Sequence, residues 1–403
     1  MNFWQILTFF DWALFIPVAL TVIYLLVFSV SALFFNKTIP NKAKQDHIFI
    51  VLIPAYKSDK IIMDTVNSIL GQTYPQRNFD VVVVSDHQSE MTNMRLAQLP
   101  ITLLTPNFDN SSKAKSLQYA ILNLPQFKIY DAVIVLDAGN VVDPEFLKEV
   151  NEAYDTSGSK VIQCHRMARN NDTPIARLDA IFEEINNTIF RRGHLAVGLS
   201  AALNSSGIIF NFQWFKQNIM KVRAIIGGEK ELEATLAREG IFVDYFEHIH
   251  VYDIKSSHSK QFNNQRGRWL YAQLHALLRN IRYLPSALMS SHYDYVNKII
   301  QWMLVPRLIL MRIIAVMSII LPFIYLTMAI KWWIAAAVVL FAYSLATPNY
   351  LVDKTWNKDF LYSSQIIIGG FFKFHTSQNQ TGSSKKPFIQ RLKSLVPFKK
   401  KQK

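Results

Sequence analysis

Hydrophobic and polar positions divide this chain into three textures. The first is a run from 13 to 35, ALFIPVALTVIYLLVFSVSALFF, which holds 23 consecutive residues without a charge. That is enough to span a bilayer as one helix. It is longer than a signal-peptide core and no small-residue cleavage site follows, so residues 1–36 are predicted to be a retained membrane anchor. A second pair of apolar stretches, 304–329 and 332–347, has Lys331 as the charge between them. They predict a transmembrane hairpin over 301–348, its second arm short enough to be tilted or re-entrant. Arg307 and Arg312, near the start of the first arm, are expected to snorkel toward the interface.

Between these membrane segments the texture is that of an α/β domain. HIFIVLIPAY and FDVVVVSD are continuous apolar runs ending in turns, as expected of strands buried on both faces. ITLLTP and DAVIVLDAGN read as further strands. DTVNSILGQTYP and KSLQYAILNL have helical spacing. Strands alternating with helices predict a parallel sheet over 45–260. Ligands of such sheets bind at the carboxyl ends of the strands, where Tyr56, Asp86 and Asp137 fall. Residues 261–300 contain QRGRWLYAQLHALLRNIRYLP, an amphipathic, basic and aromatic segment suited to a membrane surface.

Charge adds orientation. The chain has 403 residues and a net charge of +14, and its tail from 361 onward carries nine Lys/Arg and no acid. Lys37, Lys42 and Lys44 follow the first span, whereas only Asp11 precedes it. By the positive-inside rule the central domain and the basic tail, 349–403, are cytoplasmic, giving a multi-pass protein of the cytoplasmic membrane. The tail suits anionic lipid headgroups rather than nucleic acid. The single Cys164 excludes an intramolecular disulfide.

The chain lacks G-x-G-x-x-G and G-x-x-x-x-G-K-[ST], so dinucleotide and P-loop phosphate sites are not indicated. Instead VLIPAY, VVVVSD, VLDAGN and QRGRW follow one another between the spans. NSSKAKSLQYAI, GLSAALNSSGIIF and GGEKELEATL lie among them. This ordered set resembles the membrane-bound glycosyltransferases of family 2, which have a GT-A fold and include the cellulose and hyaluronan synthases.

The resemblance implies a nucleotide-sugar donor, foremost a UDP-sugar, and a glycan or lipid-linked acceptor. Ala55 and Tyr56 would border the base and ribose, Asp86 would accept hydrogen bonds from uracil or ribose, and Lys113 and Lys115 would lie near the diphosphate. Asp137 matches the first acid of D-x-D, which holds Mg²⁺ or Mn²⁺ in the family. Gly139 stands where the second acid belongs, so a weakened metal site resting on Asp137 is expected. Asp143, before Pro144 and Glu145, reads as a helix N-cap. The family's general base is an Asp closing a T-E-D or G-E-D motif, and GGEKELE makes Glu229 the candidate here. Glu231 and Glu233 read as helix-surface charges. Ser206 and Gly207 would lie beside the acceptor, with Ser205 replacing an expected glycine. Gln265, Arg268 and Trp269 keep the Q-x-x-R-W signature, implying acceptor contact. His165 and Arg166 follow another strand and face either the acceptor or the core. The altered motifs leave a second reading open, a catalytically silent scaffold or partner subunit.

Overall fold

The computed structural model describes residues 3–351 apart from 37, 38 and 126, so the basic tail beyond 351 lies outside the described residues. In chain order the strands are β1 (Phe49–Tyr56), β2 (Phe79–Asp86), β3 (Thr102–Leu104), β4 (Ala132–Val135), β5 (Val141–Val142), β6 (Val161–Ala168), β7 (Ile208–Asn211) and β8 (Val243–Asp253). They form one sheet in the order β3-β2-β1-β4-β7-β6-β8-β5. β1 and β2 pair in parallel from Phe49 opposite Phe79 to Tyr56 opposite Asp86, so both strands end at one level. β4 runs parallel to β1 with Val135 opposite Leu52.

The parallel expectation holds among β1–β4 and between β6 and β8, and fails at β7 and β5. β7 runs antiparallel to both β4 and β6. The reversal is made by residues 204–207, which turn at the carboxyl edge of the sheet. Gly207 has φ +66° there, and a Cβ would lie 3.1 Å from Val251 Cγ2. Its N–H donates to the Val135 carbonyl at 2.9 Å, and its own carbonyl accepts from the Cys164 N–H at 2.8 Å. β6 and β8 are parallel, with an irregularity between Cys164 and His165 that re-aims the residues after it.

Helices follow as α1 (Phe3–Ser31), α2 (Ile62–Leu70), α3 (Glu90–Leu96), α4 (Lys113–Leu122), α5 (Phe146–Ser157), α6 (Pro174–Asn187), α7 (Gly193–Ala196), α8 (Phe212–Ile219), α9 (Gly228–Arg238) and α10 (Ser259–Asn280). The last four are α11 (Leu284–Met289), α12 (Tyr293–Met303), α13 (Arg307–Ile324) and α14 (Leu326–Ala346). Alternate residues of β1 serve two cores. Phe49, Val51 and Ile53 pack with α2 and α5, and Ile50 and Leu52 pack with α4, α8 and α9. Phe49 through Ile53 are all inaccessible to solvent. Burial on both faces explains why β1 is an unbroken apolar run. α5 begins at Phe146 without a side-chain cap. Asp143 is not its N-cap, because its carboxylate accepts from the Tyr252 hydroxyl at 3.1 Å.

α1, α13 and α14 are long and apolar enough to cross a membrane, and they pack on one another through residues such as Val22, Ile314 and Val339. Two expectations change here. The hairpin breaks at Tyr325, and Lys331 lies inside α14, where it pairs with buried Asp11 and covers the Trp12 ring at 3.8 Å. The Trp332 indole also donates to Asp11, at 2.8 Å. Arg307 does not snorkel. It lies over the Phe182 ring at 4.8 Å and donates to Asn186 Oδ1 at 2.8 Å, because α6 offers both an aromatic face and an acceptor beside it.

The first apolar helix meets the α/β domain where α1 crosses α7. A Cβ at Gly193 would stand 2.2 Å from the Phe28 carbonyl oxygen, so only glycine allows that approach. Gly267, in the exposed middle of α10, has nothing within 4 Å of its virtual Cβ. Gly193→Ala is therefore expected to cost about 1–3 kcal/mol of stability through overpacking. Gly267→Ala should gain about 0.5–1 kcal/mol from helix propensity. Thermal unfolding of the two variants in detergent checks the pair, and equal shifts in one direction would contradict the packing account.

Candidate active site

β4 ends in Asp137, and three elements converge on its carboxylate. Lys113, the first residue of α4, sends its ammonium to Asp137 Oδ1 and also donates to the Ser205 carbonyl at 2.5 Å. Ser205, in the turn that starts β7, donates its hydroxyl to Asp137 Oδ2 at 3.1 Å. Behind it, the Arg166 guanidinium donates to Ser205 Oγ at 2.7 Å. Burial alone would raise the Asp137 pKa. The Lys113 ammonium, with help from Arg166 and the Ser205 hydroxyl, outweighs it and holds the carboxyl below its ordinary value. Asn140 closes the loop, accepting from the Asp137 N–H at 2.8 Å and donating to Asp253 at 3.1 Å.

Asp86, level with this site, is 1% exposed. Its Oδ1 meets His87 Nδ1 at 2.6 Å, while its buried Oδ2 has no hydrogen-bond partner. An unpaired buried carboxylate oxygen is costly unless a ligand completes it. Next to it Tyr56 is half exposed and packs edge-on to His87 at 5.7 Å. Lys57 and His87, the residues just after β1 and β2, both have positive φ, +48° and +56°. Such strain at non-glycine residues collects at functional sites.

Glu229 reaches the same region from α9. With Lys113 and Ser205 it lines a cavity of about 50 Å³ whose walls include Phe210, Phe215 and Leu232. Among the described residues Glu229 has no hydrogen-bond or ion-pair partner. The double glycine before it is a packing requirement: a Cβ at Gly227 would stand 2.4 Å from Ala272 Cβ of α10.

Residues 46–272, more than half of the chain, match the family described as glycosyltransferase like family 2. The chain belongs to this glycosyltransferase family. Among solved structures it is similar to mannosyltransferase PcManGT from Pyrobaculum calidifontis in complex with GDP-Man and Mn²⁺. The TM-score is 0.54 at 15% identity, over 89% of this chain and 97% of that one. That likeness supports the GT-A fold. Among curated proteins it is similar to the Staphylococcus aureus poly(ribitol-phosphate) beta-N-acetylglucosaminyltransferase TarS, 25% identical over 125 residues. The match covers 28% of this chain, and the chain spans only about a fifth of that relative's length, 20%. The structure of TarS residues 1–349 with UDP-GlcNAc aligns at a TM-score of 0.39 and 14% identity, over 73% of this chain and 89% of that one.

Several expected site residues of this glycosyltransferase lie elsewhere. Ala55 is buried in the core at 1% exposure, leaving Tyr56 as the exposed member of that pair. Lys115 turns away and donates to the Asn110 carbonyl at 2.7 Å. Ser206 is fully buried and Gly207 is sealed under Val251, so Ser205 is the residue of this turn that meets Asp137. Gln265, Arg268 and Trp269 do lie on α10, but no contact joins them to Asp137. Gln265 accepts from Ser256 at 3.3 Å, Trp269 carries Arg266 over its ring at 4.4 Å, and Arg268 is exposed. His165 is structural, its Nε2 3.0 Å from Glu184 and its Nδ1 3.0 Å from the Glu247 carbonyl.

The residues present do not fit a divalent-cation site. Gly139 offers no ligand, both Asp137 oxygens are engaged by Lys113 and Ser205, and the Asn140 amide is committed on both atoms. No cluster of three His, Cys, Asp or Glu able to hold a metal exists among the described residues. Sequence reasoning singled out Ser205 only as a replaced glycine, and missed His87 and the buried Lys255, which pairs with Glu183 at 3.3 Å and Asp253 at 3.2 Å. His87 is adjacent to Asp86 and could have been found from that; Lys255 carries no local signal.

Glu233 is not a surface charge. It is 2% exposed, meets Lys230 and Lys298 each at 2.9 Å, and accepts the Leu203 N–H at 2.9 Å. Glu231 is also partly covered, pairing with Arg279 and accepting the Arg223 N–H at 2.9 Å. Burial pushes the Glu233 carboxyl up, but Lys230 and Lys298 overcome this and hold it at about 2. Unfolded glutamate titrates near ~4.3. The ionised group therefore stabilises the fold above that value, and the contribution is lost as pH falls toward about 2. Glu233→Gln should be less stable at neutral pH by about 3 kcal/mol, because it leaves buried Lys298 unpaired. Melting curves across pH should show the gap between variant and parent closing in acid; a gap that stays constant down to the acid limit would contradict the pairing.

Proposed function

We propose that this glycosyltransferase moves a sugar from a nucleotide-sugar donor to a hydroxyl of a glycan or lipid-linked acceptor, with inversion, at the cytoplasmic face of a membrane. The carrying observation is the grouping of Lys113, Ser205 and an uncommitted Glu229 around one cavity beside Asp137. Asp86, with its unpaired buried oxygen, serves the base or ribose of the donor, and Tyr56 covers it. A UDP-sugar is the donor suggested by resemblance.

In this reading the acceptor oxygen attacks the anomeric carbon while Glu229 takes its proton, and the bond to the β-phosphate oxygen breaks with its electrons on the departing nucleoside diphosphate. α10, bearing Gln265, Arg268 and Trp269, packs against α9 at Gly227 and Ala272, and in this reading its aromatic and basic residues meet the acceptor. The three apolar helices anchor the enzyme, and the lysines after α1 set the central domain inside.

Release of nucleoside diphosphate from a panel of UDP- and GDP-sugars by purified membranes tests the reading. One donor should be turned over, and Glu229→Gln should lower the rate by about a hundredfold or more. Undiminished turnover in Glu229→Gln would remove Glu229 as the base, and no turnover of any donor would favour the scaffold.

A further inference from the structure

We propose that the Lys113 ammonium does the work of the divalent cation in this chain, so that donor binding and transfer are independent of metal. The inference rests on the nucleotide-sugar reading above and goes beyond it.

Four observations carry it. Gly139 leaves Asp137 without the second carboxylate that a bridging cation would use. The cation found on Asp137 is Lys113 itself, held on the far side by the Ser205 carbonyl at 2.5 Å. An ammonium has three donors; two are spent on these oxygens, which leaves one for a phosphate oxygen. The Lys113 side chain is 29% exposed, so that donor is reachable. Lys113 also opens α4, whose amino end adds partial positive charge.

The chemistry balances without further reagents. The bond from the anomeric carbon to the β-phosphate oxygen breaks and that oxygen keeps the electron pair. The acceptor oxygen bonds to the anomeric carbon, and its proton passes to Glu229. The added negative charge on the departing diphosphate is met by Lys113, which Asp137 keeps oriented. Asp137 is thus a positioning residue for a lysine rather than a ligand for a metal.

The test is calorimetric binding of UDP and GDP to the full chain in detergent, with EDTA or with Mn²⁺. The parent protein is expected to bind one of them equally well in both conditions. Lys113→Ala should weaken binding by about tenfold or more, in line with loss of a charge-assisted contact, and Lys113→Arg should restore part of it. Lys113→Ala combined with Gly139→Asp should regain affinity with Mn²⁺ and not with EDTA. A Cβ at Gly139 meets only side-chain tips, Ile61 Cδ1 at 3.2 Å and Ile254 Cδ1 at 4.0 Å, so a small shift of Ile61 accommodates the added carboxylate. Parent binding that collapses about tenfold in EDTA overturns the proposal and leaves the donor reading standing. Absence of nucleotide binding in either condition overturns the donor reading itself, and this proposal with it.

Discussion

Asp137 brings a negative charge to the point where β4 leaves the sheet, and that charge has to be met by whatever the surrounding loops deliver. A carboxylate in a partly desolvated position costs several kcal/mol unless it is paired and hydrogen-bonded. Here the pairing is done by Lys113 from α4 and by Ser205 from the turn that starts β7, with Arg166 behind the serine. This contact ties together the two halves of the mixed sheet, because α4 belongs to the parallel half and residue 205 to the reversal into the antiparallel strand. Lys113 and Ser205 also line the small cavity with Glu229, so the pairing of Asp137 and the shape of that cavity are one arrangement.

A second network holds the base helix. Glu233 joins α9 to Lys298 of α12 and to the Leu203 N–H just before the serine turn. Gly227 lets the start of α9 close on Ala272 of α10. α12 is in turn linked to the apolar helix α1, since the Tyr24 hydroxyl donates to Asn297 Oδ1 at 2.9 Å and lies 2.9 Å from His194 Nε2. Burial, with the Lys298 charge next in effect, keeps the His194 ring neutral, its pKa pushed down to about 3. The carboxylate proposed as base is mounted on a frame that runs from the sheet edge to the apolar helices.

Much of this was legible in the sequence where burial is two-sided. β1, β2 and β4 announce themselves because both faces of the sheet are covered, and the polar residue ending each run marks the ligand edge. β8 was not legible, since VDYFEHIHVYD mixes charges and histidines that find partners only across the sheet. The reversal of β7 depends on Gly207 and its bonds to β4 and β6, which no local pattern reveals. Glu233 looked like a surface residue because its partner Lys298 lies 65 positions away. Lys113 and Lys115 were equivalent by spacing, and only the start of α4 separates them, aiming one at Asp137 and the other back at Asn110. Arg307 likewise reads as interfacial and Lys331 as the turn of a hairpin, because their partners on α6 and at Asp11 are remote in sequence.

The most direct measurement of the central claim is an experimental structure of the full chain with a nucleoside diphosphate, prepared in EDTA. The account places the base or ribose against Asp86 Oδ2 and a phosphate oxygen within hydrogen-bond distance of Lys113 Nζ, with Glu229 open to the space beyond the β-phosphate. A nucleotide seated away from Asp86 and Lys113, or one whose diphosphate is ordered only when Mn²⁺ is added, would contradict it.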